Sequence, residues 1–303
     1  AGSTVDESTQ SAPARMAGAR PRWRAGLDVL RAASPALLFA GMSQFRLLII
    51  AALVSSAPGA VAALNYAQRL MDLPLGLVGA SAGAVLLPAL VRAKDEGHAA
   101  GRALVAALAF ALPAAMGLAV LAEPIVVTLF QRGSFDAADA RFTAALLSVL
   151  ALSLPLQGIE RILSATAAAA GLIKEAERIA ILSLLLCLAA AAGLGALYGP
   201  QGAALAAVAS AGVSILALGL LLSRHGALRL ERRLVLALAG LCGAALLMGV
   251  VVFVLGSLWP APEDAGLHAA ARLVVLIVAG ALAYGLCVLP LRALVKGEGA
   301  RER

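Results

Sequence analysis

Charged and aromatic residues are scarce in this sequence. Of its 303 residues only 14% are charged and 4% are aromatic, whereas 62% are hydrophobic. Soluble globular domains carry about 25% charged and roughly 45–50% apolar residues, so a soluble fold would have to expose apolar surface to water. The few aromatic residues and the absence of alternating ten-residue segments argue against a membrane β-barrel. The composition therefore predicts an all-α, polytopic transmembrane helix bundle.

Long apolar runs recur along the chain, each able to cross ~30 Å of hydrocarbon at ~1.5 Å per residue. They predict about eight transmembrane helices, at 34–55, 60–91, 103–130, 140–173, 179–198, 202–223, 234–259 and 272–292. The sixth run is rich in Gly, Ala and Ser, which let helix backbones approach closely, so we expect it to pack inside the bundle. The three cysteines lie in apolar runs without metal-ligand spacing, and we expect them to be buried.

Lysine and arginine are divided unevenly between the loops on the two sides of the predicted transmembrane helices. Eighteen lie in the segments on one side, three in the opposite loops and three inside spans. Because basic loops are retained in the cytoplasm, this asymmetry predicts that both termini are cytoplasmic. We expect residues 1–33 to form a polar, basic cytoplasmic linker and residues 294–303 a cytoplasmic tail.

Several charged residues fall inside the predicted spans, where a central arginine costs about 2.5–3.5 kcal/mol. Arg46 lies in the first span and has no carboxylate within one helical turn, so we expect it to line a water-filled cavity. Glu160 and Arg161 lie in the fourth span. Arg161 either faces the same cavity or extends its charge to the membrane surface.

A polar stripe occupies one face of the second span, because its members are spaced by three, four and seven residues. It consists of Asn65, Tyr66, Arg69 and Asp72. Pro74 removes a backbone hydrogen bond to the carbonyl of Leu70, so we expect the helix to bend or break there and to line a transport cavity. In the alternative, Arg69 and Asp72 neutralise each other and only hold two helices together.

The sequence lacks the motifs of soluble enzymes. It has no glycine-rich phosphate loop, no paired His and Cys ligands and no nucleophile–base signature. We therefore expect no enzymatic activity and no cofactor. Most of the basic residues behind the net charge of +7 lie in the predicted loops and termini at the membrane surface. We therefore expect no nucleic-acid partner.

Residues 65–76 read Asn-Tyr-Ala-Gln-Arg-Leu-Met-Asp-Leu-Pro-Leu-Gly. This segment resembles the Tyr-Ala-Asp-Arg-Leu-Met-Glu-hydrophobic-Pro-x-Gly motif of the MurJ/MviN family of lipid II flippases. Further similarity occurs at 34–37, 43–44, 85–90, 122–124 and 129–135. The resemblance runs in register over residues 20–290 and is most specific before residue 175.

The resemblance implies the C-terminal portion, helices seven to fourteen, of a two-lobe exporter of the multidrug/oligosaccharidyl-lipid/polysaccharide superfamily. It implies a six-helix lobe at 34–223, followed at 224–293 by two additional helices that line a groove for the lipid tail. The implied partners are an undecaprenyl-pyrophosphate-linked peptidoglycan precursor, membrane lipids and a missing N-terminal lobe of six helices.

The implied function is movement of that precursor across the bacterial inner membrane by alternating access. Arg69 matches a cavity arginine of the family, Asp72 takes the place of its glutamate, and Arg161 matches a basic position. The implied substrate-binding residues are Arg69, Asp72, Arg46, Arg161, Asn65 and Tyr66. Gln68, Ile50 and residues 170–172 depart from the polar residues usual in the family. The alternatives are another exporter of the superfamily, for drugs or a different polyprenyl-linked glycan, and an inactive membrane scaffold.

Overall fold

The computed structural model describes residues 41–92, 96–228, 232–259 and 266–296, and no strand occurs among them. Its helices are α1 (Gly41–Val54), α2 (Ala60–Arg92), α3 (Glu96–Val120), α4 (Ala122–Phe130), α5 (Ala137–Ala151), α6 (Ser153–Ala169), α7 (Ile173–Arg224), α8 (Arg232–Leu258) and α9 (Leu267–Lys296). The predicted all-α class is confirmed. The predicted linker at 1–33 and most of the tail at 294–303 lie outside the described residues.

Five of the described segments are long and apolar enough to cross a membrane. They are Ala100–Val120, Ala137–Ala169, Ile173–Arg224, Arg232–Leu258 and Leu267–Leu289. The longest is α7, in which Gly199 adopts a φ of 65° and is followed by Pro200. A positive φ suits glycine because it has no Cβ, and the helix path is interrupted there. Since 26 residues of α7 precede Gly199 and 25 follow it, each half is long enough for one crossing.

The helices differ from those predicted from the sequence in three places. The predicted span 103–130 is divided at Leu121 into α3 and α4, and the predicted span 140–173 is divided at Leu152 into α5 and α6. Of the bend or break predicted at Pro74, the break does not occur, because α2 continues through this residue to Arg92.

The core forms where α2 and α3 pack together and against α5 and α6, while α6 packs on α7. The second half of α7 is buried along its small residues, as predicted for the sixth span: Gly202, Ala203, Ala204, Ala206, Ala207, Ser210 and Ser214. Cys187 is buried, but Cys242 is exposed, so the expectation that all three cysteines are buried is wrong.

Helices α8 and α9 pair with each other and pack on α3. Their close approach requires Gly280, because a Cβ at this position would lie 2.8 Å from a methyl carbon of Val252. The outer surface of α7, α8 and α9 carries large exposed apolar side chains such as Leu197, Phe253 and Leu286. A surface of this kind is suited to lipid and not to water.

Candidate functional site

The polar stripe of α2 lies on an exposed face of that helix. Asn65, Arg69 and Asp72 are exposed, whereas Leu64 and Met71 on the opposite face belong to the core. The 3.6-residue period of the helix separates the two sets. Three of the stripe residues predicted from the sequence therefore share one accessible face, and Tyr66 is half-buried beside them.

Arg69 and Asp72 do not form an ion pair. The side-chain amide of Gln68 donates a hydrogen bond to Oδ1 of Asp72 at 2.7 Å, one helical turn away. Within the described part of the chain, no carboxylate pairs with the guanidinium of Arg69. Arg69 is therefore an exposed cation, available to an anionic ligand.

Tyr66 joins the stripe to the connection between α4 and α5. Its ring centroid lies 4.7 Å from that of Phe130 and 5.3 Å from that of Phe135, which it meets edge to face. Such tilted arrangements are favourable for aromatic rings. Phe130 ends α4 and Phe135 precedes α5, so the cluster fixes this connection against α2 near Asn65. The sequence predicted Tyr66 as a site residue but did not predict this aromatic cluster. The feature of the sequence that could have indicated the cluster is the pair of phenylalanines within 129–135.

Arg46 is neutralised in the interior of the bundle. Its Nη1 donates to Oε2 of Glu160 at 2.6 Å, and its Nη2 donates to Oε1 of Glu160 at 2.8 Å and to Oγ of Ser183 at 2.8 Å. The Ser183 hydroxyl donates in turn to the carbonyl of Ser210 at 3.0 Å. The side chains of Arg46 and Glu160 are only 4% and 6% exposed. This network connects α1, α6 and both halves of α7.

The sequence identified Arg46 and Glu160 as charges inside spans but did not pair them, because 114 residues separate them. Arg161 is turned about 100° from Glu160 around α6 and is exposed. Arg46 lines a cavity of about 20 Å³, too small for a lipid headgroup. Among the described residues, no group of three or more His, Cys, Asp or Glu side chains is arranged to hold a metal ion.

Comparison with known proteins identifies the family. The family model described as lipid II flippase MurJ matches residues 12–272. The chain belongs to the MurJ family. A probable lipid II flippase MurJ of Bdellovibrio bacteriovorus is 32% identical over 267 residues, which cover 85% of this chain and 50% of that relative. A probable lipid II flippase MurJ of Rhizobium tropici is 32% identical over 237 residues, which cover 76% and 44%.

A solved structure titled lipid II flippase MurJ, inward closed conformation, matches the fold with a TM-score of 0.72. The match covers 90% of this chain and 56% of that one, at 22% sequence identity. The chain therefore has the fold of a MurJ protein, and it is a multi-pass membrane protein. It spans about half the length of the curated relatives that it matches.

Proposed function

We propose that this chain is part of a transporter that moves lipid II, the undecaprenyl-pyrophosphate-linked peptidoglycan precursor, across the bacterial inner membrane. Its membership of the MurJ family supports this substrate, because the family model is described as lipid II flippase and the reported relatives are named probable lipid II flippases. In this proposal the chain corresponds to the C-terminal part, and an N-terminal lobe of six helices supplies the other wall of the cavity. The match to only half of the relatives' length supports this division.

The observation that carries the proposal is the exposed guanidinium of Arg69, which has no carboxylate partner in the described residues. A guanidinium offers planar, two-pronged hydrogen bonding that suits phosphate oxygens. Because Gln68 holds Asp72, Arg69 can bind a pyrophosphate without first breaking an ion pair. In this proposal Asp72 orients the side chain of Gln68, and Asn65 and Tyr66 contact uncharged parts of the headgroup.

Two further arginines have different parts in this proposal. Arg161 is exposed and extends the positive lining from α6. Arg46 is buried against Glu160 and holds together the helices that carry the site. The lobe at 34–223 would thus provide the headgroup site, while the apolar outer surface of α8 and α9, within 224–293, would accommodate the lipid tail.

Substitution of Arg69 in the complete transporter tests the site. We expect Arg69→Ala to abolish lipid II translocation and Arg69→Lys to reduce it strongly, because lysine keeps the charge but lacks the two-pronged geometry. Protein level and membrane insertion should stay unchanged. Arg178→Ala, which removes an exposed arginine of α7 outside the proposed site, is the matched control and should leave translocation normal.

The double variant Arg69→Ala/Asp72→Ala separates substrate binding from helix packing. If Arg69 binds the pyrophosphate, removal of Asp72 as well cannot restore translocation. If the two residues are only a charge pair, their joint removal should recover what either single change loses. Normal translocation by the double variant would contradict the substrate-binding role of Arg69.

A further inference from the structure

A small cavity lies between α1, α2, the junction of α5 with α6, and the second half of α7. Its volume is about 20 Å³, and roughly 10–15 Å³ is enough to hold one water molecule. The polar side chains in its wall are Ser43, Arg46, Gln68, Ser153 and Gln157. The cavity therefore has room for one very small polar molecule.

Two of these side chains bear a buried polar atom without a hydrogen-bond partner in the described part of the chain. The atoms are Nε of Arg46 and Oε1 of Gln157, in side chains of residues that are 3% and 8% exposed. Buried polar groups in native proteins are nearly always paired with protein or with ordered water. Both atoms therefore require a ligand.

Neighbouring hydrogen bonds fix the orientation of the Gln157 amide. The Ser153 hydroxyl donates to the carbonyl of Leu150 at 2.7 Å. Its oxygen consequently accepts a hydrogen bond from Nε2 of Gln157, at 2.9 Å. Oε1 of Gln157 is thus the remaining acceptor, and the Nε–H of Arg46 is the remaining donor.

We propose that this cavity is a binding site for a single water molecule, which accepts a hydrogen bond from Nε of Arg46 and donates one to Oε1 of Gln157. The two atoms select a small neutral ligand that both accepts and donates a hydrogen bond, because one of them is a donor and the other an acceptor. Glu160 already balances the charge of Arg46, so no counter-ion is required. Ser43 and Gln68 supply further polar partners, as buried waters usually make about three hydrogen bonds.

The water site connects the buried ion pair with the exposed face of α2. Gln68 belongs to both, because it lines the cavity and also donates to Asp72. The bound water completes a polar connection that runs from Asp72 through Gln68 to Arg46 and Glu160. This inference is independent of the transported substrate, since it rests only on the cavity and its walls.

X-ray radiolytic footprinting of the full chain in nanodiscs tests the site. Short X-ray pulses turn water into hydroxyl radicals where it is bound, so a buried side chain next to a bound water is oxidised. Met71 lines the cavity and is 1% exposed, whereas Met42 is 2% exposed and lies outside the cavity wall. We expect mass spectrometry to find severalfold faster sulfoxide formation at Met71 than at Met42.

The variant Gln157→Leu removes the acceptor at similar side-chain size. We expect it to lower the oxidation rate of Met71 to that of Met42. Equal rates for the two methionines in the unmodified chain would overturn the proposal, and this comparison does not depend on the folding of any variant. An unchanged Met71 rate in Gln157→Leu, with a native thermal unfolding profile, would overturn the assignment of Gln157 as the partner of the water.

Discussion

At the scale of single residues, the pair of Arg46 and Glu160 explains how a full charge is kept inside a membrane bundle. Both charges lose their hydration, and their two-pronged contact and the Ser183 hydroxyl compensate for that loss. Removal of one partner leaves an uncompensated buried charge, whereas removal of both leaves an apolar contact. The two residues should therefore be strongly coupled.

We expect Arg46→Met to lower the free energy of unfolding by about 3–5 kcal/mol, and Glu160→Met to do the same. The double variant should recover most of the loss. Reversible unfolding in mixed detergent micelles measures the free energy of unfolding of all three variants. Arg161→Met changes the exposed neighbour on the same helix and should shift the value by less than ~0.5 kcal/mol. A double variant as unstable as the single ones would refute this coupling.

The sequence predicted which residues of α2 share a face, because that follows from the helical period. It left open whether Arg69 pairs with Asp72, since both residues lie within one turn. The structure adds Gln68, whose hydrogen bond occupies Asp72. A contact between near neighbours is decided by side-chain rotamers, and spacing alone does not specify them. The contact of Arg46 with Glu160 depends on how separate helices pack, which spacing does not specify either.

At the scale of helices, Pro113 and Tyr284 explain how α9 is attached to α3. Pro113 lies inside α3 and has no N–H, so the carbonyl of Ala109 lacks its helical donor. The hydroxyl of Tyr284 on α9 donates to this carbonyl at 2.9 Å. The proline therefore creates an acceptor that the neighbouring helix α9 uses.

A double-mutant cycle tests this dependence. We expect Tyr284→Phe to destabilise the chain by roughly 0.5–1.5 kcal/mol, because it leaves the Ala109 carbonyl unpaired in the membrane. In the Pro113→Ala background the new N–H supplies that carbonyl, so the loss caused by Tyr284→Phe should largely disappear. Unfolding titrations of the unmodified chain, the two single variants and the double variant measure the coupling between Pro113 and Tyr284. The same loss in both backgrounds would show that Tyr284 does not replace the missing donor.

Hydropathy predicted most helices, because a span of about 20 apolar residues is a long and clear signal. It did not reveal the division at Leu121 or at Leu152, where the chain stays apolar while the helix is interrupted. The break expected at Pro74 does not occur. Pro113 is likewise inside a continuous helix. Proline alone therefore does not locate helix ends in a bundle whose neighbours can satisfy the freed carbonyl.

At the scale of the whole molecule, the distribution of basic residues sets the proposed orientation. Eighteen lysines and arginines lie in the segments predicted on one side of the membrane, and three lie in the loops predicted on the other side. The connection between α4 and α5 should therefore face the periplasm. In a background without the native cysteines, a cysteine introduced at Ser134 should react with an impermeant maleimide from outside, and one at Gly97 should not. The reverse result would contradict the predicted orientation of the helices in the membrane.

The central claim is that this chain is one part of a lipid II flippase. The most direct measurement is the translocation of lipid II in cells depleted of their own flippase, read by cleavage of the precursor by a lipid II-degrading enzyme added from outside. We expect the complete transporter, formed by this chain together with its N-terminal lobe, to restore cleavage, and residues 1–303 alone to insert without restoring it. Failure of the inserted complete transporter to restore cleavage, or restoration by the isolated chain, would contradict this account.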